Sequence, residues 1–317
     1  MDKKLINKAN GLFLVLLAAQ LLVTGIVSLL AARSINIGTT AGLIINQFFI
    51  LIPGMIYLLV NNLNPIDFCR YKRIKISSAF MCIVFSLLII PLIAVINAIT
   101  MVVTSNTVID MSGDIISMPW YIMVFIIGLF GPFCEEFIFR GIIFNSLNTS
   151  GRVMGSALVS GMFFGLLHLN LNQFGYAFVL GLIFALLNEA TGSIWSSFIC
   201  HAWINTQNTL LMYGLAYLGD IMGTDYLKAA GGEMSKQVIL MTGAIYLMIA
   251  VVTTALAVLL YIGIAGNEGR RDHIKAVFSK KDEMAGSKSR LMTIWGWVAI
   301  AVCFFVIFVL DVIMGIA

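Results

Sequence analysis

The sequence predicts an all-α, polytopic membrane protein, a bundle of about 8–9 transmembrane helices, and two observations carry that prediction. The 317 residues are 60% hydrophobic and only 11% charged, with a mean hydropathy of +1.00. Soluble domains are about 45–50% apolar and roughly 25% charged, and a soluble fold of this length cannot hide so much apolar surface. Runs of about 20 apolar residues, the length that crosses a bilayer core, also recur along the whole chain.

The first run, 10–32, follows Met1-Asp2-Lys3-Lys4 and has a cleavage-like Ala31-Ala32 at its end. Its apolar stretch is longer than the roughly 7–15 residues of a secretory leader, so it reads as a helix that stays. Spans 41–61 and 79–103 complete an N-terminal group, 1–118. Spans 120–145, 153–168, 174–190 and 194–212 form a middle unit, 119–212, in which the second and third are short. Short spans are expected to be tilted, thin or partly buried in protein. Spans 238–265 and 291–315 make a C-terminal group, 213–317. Loops are brief except for 213–237, with Gly231-Gly232, and the charged, basic 266–290.

Lys and Arg per loop set the orientation. With the N-terminus inside, the inner segments hold 15 of the 19 basic residues, from the N-terminus, 70–75, Arg152 and 270–290. The outer segments hold Arg33, Lys228 and Lys236, and Arg140 lies within a span. The N-terminus is therefore expected in the cytoplasm and the C-terminus outside, in the plasma membrane of a bacterium. The basic 266–290 loop reads as a surface that touches anionic membrane lipid. The five cysteines are scattered, without CxxC spacing, which suggests neither a disulfide framework nor a thiolate metal site. No basic–aromatic interleaving points to nucleic acid, and no internal repeat points to an inverted-repeat transporter.

Charged side chains in a bilayer core are costly, so those present are functional candidates. Glu135, Glu136, Arg140 and His201 sit inside spans, and His168 ends one. Glu136 and Arg140 are four apart and share a helix face, where they can pair. Glu135 is rotated by about 100° and is expected to point elsewhere, free for chemistry. In the second group, Phe164 and His168 lie on one face, with Gly161 and Gly165 allowing close helix approach. His201 and Asn205 project together from a third helix, where Asn205 can donate to a developing oxyanion. The structural alternatives are a helix-stabilising Glu–Arg pair and polar contacts between helices. His273 lies in the charged loop and is given no role.

Two imidazoles and a carboxylate (Glu135, His168 and His201) also form a sufficient ligand set for catalytic zinc with an open water position. A Cys134–His168 dyad is the minor alternative, since a buried cysteine usually acts as a small hydrophobe. Buried Glu and His also serve proton relays, so a proton- or ion-coupled transporter is a rival reading, as is a non-catalytic immunity or scaffold protein.

At these residues the sequence resembles the CPBP family of intramembrane peptidases, which takes in CAAX prenyl endopeptidases and bacteriocin-processing or Abi proteins. Glu135-Glu136-xxx-Arg140 is similar to its EExxxR motif, Phe164-xxx-His168 to FxxxH, and His201-xxx-Asn205 to HxxxN, in the family's order. Thr191-Gly192-Ser193-Ile194-Trp195 resembles the turn before the last motif, and the resemblance covers roughly 118–210. It implies about eight helices around a conical cavity open to the cytoplasm, and hydrolysis of a prenylated CaaX terminus or a bacteriocin-like peptide precursor. It also implies that Glu135 and His168 activate water, that His201 and Asn205 hold the oxyanion, and that Glu136 and Arg140 orient the site. Both a bound zinc and a metal-free water activation fit the resemblance. His168, near the outer end of its span, needs a helix extended to about Gln173 to reach the depth of Glu135.

Overall fold

The computed structural model describes residues 2–35, 37–104, 106, 111–224, 235–279 and 290–313. Gly231-Gly232, Lys228, Lys280, Lys281 and Lys288 lie outside the described residues. The long helices are α1 Asp2–Ala32, α2 Thr39–Val60, α3 Ile76–Met101, α4 Trp120–Asn148 and α5 Val153–Leu166. They continue with α6 Leu171–Thr191, α7 Trp195–Met222, α8 Lys236–Asn267 and α9 Ile294–Ile307, and no strand occurs among the described residues. Each helix falls on one of the expected spans.

Six of them, α1, α2, α3, α4, α6 and α8, are long and apolar enough to cross a membrane. Helices α5 and α9 are apolar but shorter. Helix α7 is long enough, but the polar run Asn205-Thr206-Gln207-Asn208-Thr209 lowers its hydropathy. It also continues past its expected end at 212 to Met222, and a short helix, Arg271–Val277, forms inside the expected 266–290 loop.

Hydrogen bonds and ion pairs gather the basic segments at one end of the bundle. The Lys8 ammonium donates to Asn61, and Asn10 ties α1 to the Leu291 carbonyl at 2.9 Å. Arg70, Asn148 and Arg270 all reach Glu189 at the end of α6, and the Lys75 amide donates to Glu268 at 2.9 Å. At the opposite end Thr39 donates to Asp114, and the Tyr213 hydroxyl bonds the carbonyls of Ile115 and Met118.

Helix α4 is not a regular α-helix. Two π-helical stretches, Val124–Phe130 and Phe137–Phe144, flank the α-helical turn Gly131–Glu136. The first runs into a proline. The Gly131 amide bonds the carbonyl of Ile126, five residues back, so the next amide in that register belongs to residue 132. That residue is proline and has no N–H, which leaves the Ile127 carbonyl to be satisfied by a side chain.

The α5–α6 hairpin is held by glycine contacts. A Cβ on Gly161 would fall 2.8 Å from the Leu182 backbone nitrogen, and one on Gly181 would fall 2.6 Å from the Gly161 Cα. Only glycine permits that approach. Helix α5 has 14 residues, about 21 Å of rise, so the chain reverses within a core of about 30 Å. The reversal uses Leu169 in the left-handed region (φ 54°) and Asn170, whose side chain caps α6 by accepting from the Gln173 amide. The expected extension of α5 to Gln173 does not occur. The helix stops at Leu166, and His168 lies in the turn that follows it.

Candidate active site

The motif residues come from α4, α7 and the α5–α6 turn, and two of them, Glu135 and Glu136, converge on the imidazole of a third, His201. His201 Nδ1 lies 2.9 Å from Glu136 Oε1, and His201 Nε2 lies 3.7 Å from Glu135 Oε2. The expectation that Glu135 points away from Glu136 is corrected: adjacent residues reach opposite nitrogens of the same ring. Glu136 Oε1 also lies 3.0 Å from Arg140 Nη1, the expected i,i+4 pair. Among the described residues the guanidinium nitrogens of Arg140 have no hydrogen-bond partner, so the contact with Glu136 is ionic in character. The Arg140 guanidinium instead lies 4.2 Å above the Phe164 ring and 5.1 Å from that of Phe184, a cation–π arrangement suited to a desolvated cation.

Exposure separates the two carboxylates. The Glu136 and Arg140 side chains are 1% and 0% exposed, whereas Glu135 is 17% exposed. One carboxylate is locked in a buried ion pair, and its neighbour is the accessible acid of the site. Gln47 of α2 is close enough to interact with the Glu135 carboxyl.

Asn205 donates to the Ile127 carbonyl at 3.2 Å, the acceptor orphaned by Pro132. A carboxamide carries two N–H donors, so this bond spends one of them. His168 stands edge-on to Phe164, with ring centroids 5.4 Å apart, and Phe164 in turn meets His201 at 5.8 Å. The two imidazoles therefore flank one aromatic ring. Among the described residues the ring nitrogens of His168 have no hydrogen-bond partner, and its backbone carbonyl accepts from Asn170 at 3.0 Å.

Glu135, His168 and His201, the set expected to hold zinc, do not stand together as a ligand group in this arrangement. Among the described residues no three His, Cys, Asp or Glu side chains come together closely enough to hold an ion. His201 Nδ1 rests on Glu136 and leaves Nε2 turned toward Glu135, an orientation that metal-ligating histidines share. The Cys134–His168 dyad finds no support either, because both appear without a mutual contact.

Motif reasoning missed several neighbours. Phe184 of α6 packs on both His201, at 5.2 Å, and Arg140. Gln47 carried a signal, as a polar residue inside an otherwise apolar span. Glu189 is a further buried acid, 1% exposed, paired with Arg70 at 2.5 Å and Arg270 at 3.7 Å. His273, given no role from sequence, lies 2.6 Å from Glu189 Oε2. Near the site, Tyr71, Phe133, Trp195 and Phe198 form a chain of ring contacts 5.5–6.4 Å apart. Burial, followed by the neighbouring Cys69, Cys134 and Glu136, pushes the Tyr71 phenol above its usual range.

Residues 117–207 match the family model described as Rce1-like, type II CAAX prenyl endopeptidase. No curated protein and no solved structure matches the chain.

Proposed function

We propose that this chain, a member of the CPBP/CAAX protease family through its Rce1-like segment 117–207, is an intramembrane endopeptidase that uses a Glu–His-activated water. The observation that supports this reading best is the division of labour between adjacent carboxylates. Glu136 is neutralised by Arg140 inside the protein, while Glu135 is accessible and faces the imidazole of His201.

In the proposed reaction Glu135 takes a proton from water as the oxygen attacks the scissile carbonyl. Apo distances at such sites are often longer than those in the working complex, so the 3.7 Å between Glu135 and His201 leaves room for both to serve one reacting group. Glu136, paired with Arg140, holds His201 by Nδ1, which turns Nε2 toward the reaction. With His201 as the imidazolium, in which both ring nitrogens carry protons, Nε2–H and the second amide N–H of Asn205 are assigned to the developing oxyanion, the kind of preorganised donor pair that lowers acyl-transfer barriers. The proton held by Glu135 passes to the leaving amine. His168, with unpartnered ring nitrogens one aromatic ring away, is assigned to the same water. No step is routed through zinc.

The substrate proposed is a membrane-associated peptide, either a prenylated CaaX terminus or a bacteriocin-like precursor. The test is cleavage of each by the chain in proteoliposomes, with products identified by mass spectrometry and metal content measured beforehand. The reading expects a single endoproteolytic cut of at least one class, unchanged by a chelator. Proton-dependent uptake without any cleavage would replace it with the transporter, and loss of cleavage on chelation would reinstate a metal.

A further inference from the structure

An apolar groove of about 580 Å³ runs between α3, α6 and α8, and the short helix Arg271–Val277 closes one end of it. None of the six motif residues lines it. Helix α6 separates groove from site: Phe184 packs on His201, while the neighbouring Ile183 and Leu186 face the groove. The groove continues into a second apolar cavity of about 310 Å³ through the shared residues Leu92, Thr254 and Val258.

We propose that this groove is a binding site for one anionic phospholipid, with an acyl chain along α8 and the phosphate at Arg271 and Lys275. Length is the first argument. The first cavity extends along α8 from Thr254 to Ala265, about 16 Å of helix rise, close to half of a hydrocarbon core of about 30 Å. One leaflet's acyl chain fills that span.

Charge at the mouth is the second argument. Arg271 and Lys275 both line the groove, and no acidic residue does. Arg270, beside them, is already engaged by Glu189. Arg271 has no ionic partner among the described residues, and Glu268 is held by the Lys75 amide. Lys275 pairs with Asp272 at 3.2 Å, but both are exposed, and such pairs are weak and exchangeable. The helix that carries these cations lines the groove with Ile274 as well and buries Val277. At the rim, the Tyr261 hydroxyl donates to the Leu186 carbonyl at 3.0 Å and its ring meets Phe278 edge-on. A tyrosine there is placed as interfacial aromatics are. The basic end of the bundle is the one that the Lys/Arg asymmetry assigns to the anionic leaflet.

The proposal does not depend on the protease reading, and its test is a binding measurement. The full-length chain is equilibrated with equimolar phosphatidylglycerol and phosphatidylcholine in detergent, and retained lipid is counted by native mass spectrometry. Wild type is expected to retain one phosphatidylglycerol in preference to phosphatidylcholine. The R271A/K275A double variant is expected to lose about fivefold of that preference per basic residue removed. Val258→Trp, at a residue 54% exposed, fills the groove without entering the core and is expected to reduce retention of both lipids. Equal retention of the two lipids by wild type, or an unchanged preference in R271A/K275A, would overturn the proposal. Undiminished retention in Val258→Trp would do the same. Stoichiometric displacement of the phospholipid by a farnesylated peptide would give the groove to the substrate, and displacement by inorganic phosphate alone would reduce the site to a phosphate contact.

Discussion

Six residues in three motifs were legible as a site because charged and imidazole groups are expensive in apolar helices. Their neighbours were not legible, since Gln47 and Phe184 meet the site only through tertiary contacts with no spacing signature. The geometry makes the two glutamates unequal, and this is testable. Glu136→Gln leaves Arg140 as an uncompensated buried charge, a change that costs about 3–5 kcal/mol, so its melting temperature in detergent is expected to fall sharply. Glu135→Gln, at the more exposed position, is expected to melt within a few degrees of wild type. Equal destabilisation by both would contradict the division of roles. A second residue-scale expectation concerns Cys69, in the loop between α2 and α3 and fully buried. Burial pushes its thiol up to about 12, so it stays protonated at neutral pH, and the thiolate is the reactive form. Peptide mapping after brief alkylation is expected to find Cys69 labelled only in denatured protein; labelling in native protein would show the loop to be open.

The nine long helices among the described residues were readable from apolar runs, because the bilayer sets both their length and their composition. What the runs did not convey was irregularity within them. The first π-helical stretch of α4 meets Pro132, whose missing amide leaves the Ile127 carbonyl open, a consequence that appears only once Asn205 is seen to fill the gap. The early stop of α5 was hidden for a similar reason. Leu169 adopts a left-handed conformation that nothing in a leucine suggests, and the Asn170 cap then starts α6. The Gly161 and Gly165 contacts, by contrast, were anticipated from spacing alone. Gly161→Ala sets a methyl group against the α6 backbone, 2.8 Å from the Leu182 nitrogen, and backbone yields less readily than a side chain. A loss of about 1–3 kcal/mol is expected for such overpacking, measurable by thermal denaturation. Gly113→Ala, where nothing lies within 4 Å, is the matched control and is expected to be neutral.

At the scale of the whole molecule, the Lys/Arg asymmetry anticipated that the basic loops share one end, and the contacts of Lys8, Arg70, Lys75 and Arg270 gather them there. It did not anticipate that a buried acid, Glu189, ties that end together. Glu189 stands alone near a span terminus in the sequence, and its partners come from loops about 80 to 120 positions away. Glu189→Gln weakens bonds to partly solvated cations, each worth about 1.5–3 kcal/mol when charge-assisted. It is expected to lower the melting temperature while leaving the chemistry of the site intact. A variant with wild-type stability would show the clasp to be dispensable. The central claim, that Glu135 activates the water, is tested most directly by the cleavage rate of Glu135→Gln in proteoliposomes, measured beside its melting temperature and with wild type in parallel. The account predicts a folded protein, with melting close to wild type, whose cleavage falls by about 10²–10⁴-fold, the range of a lost general base. Cleavage at the wild-type rate in that folded variant would contradict it.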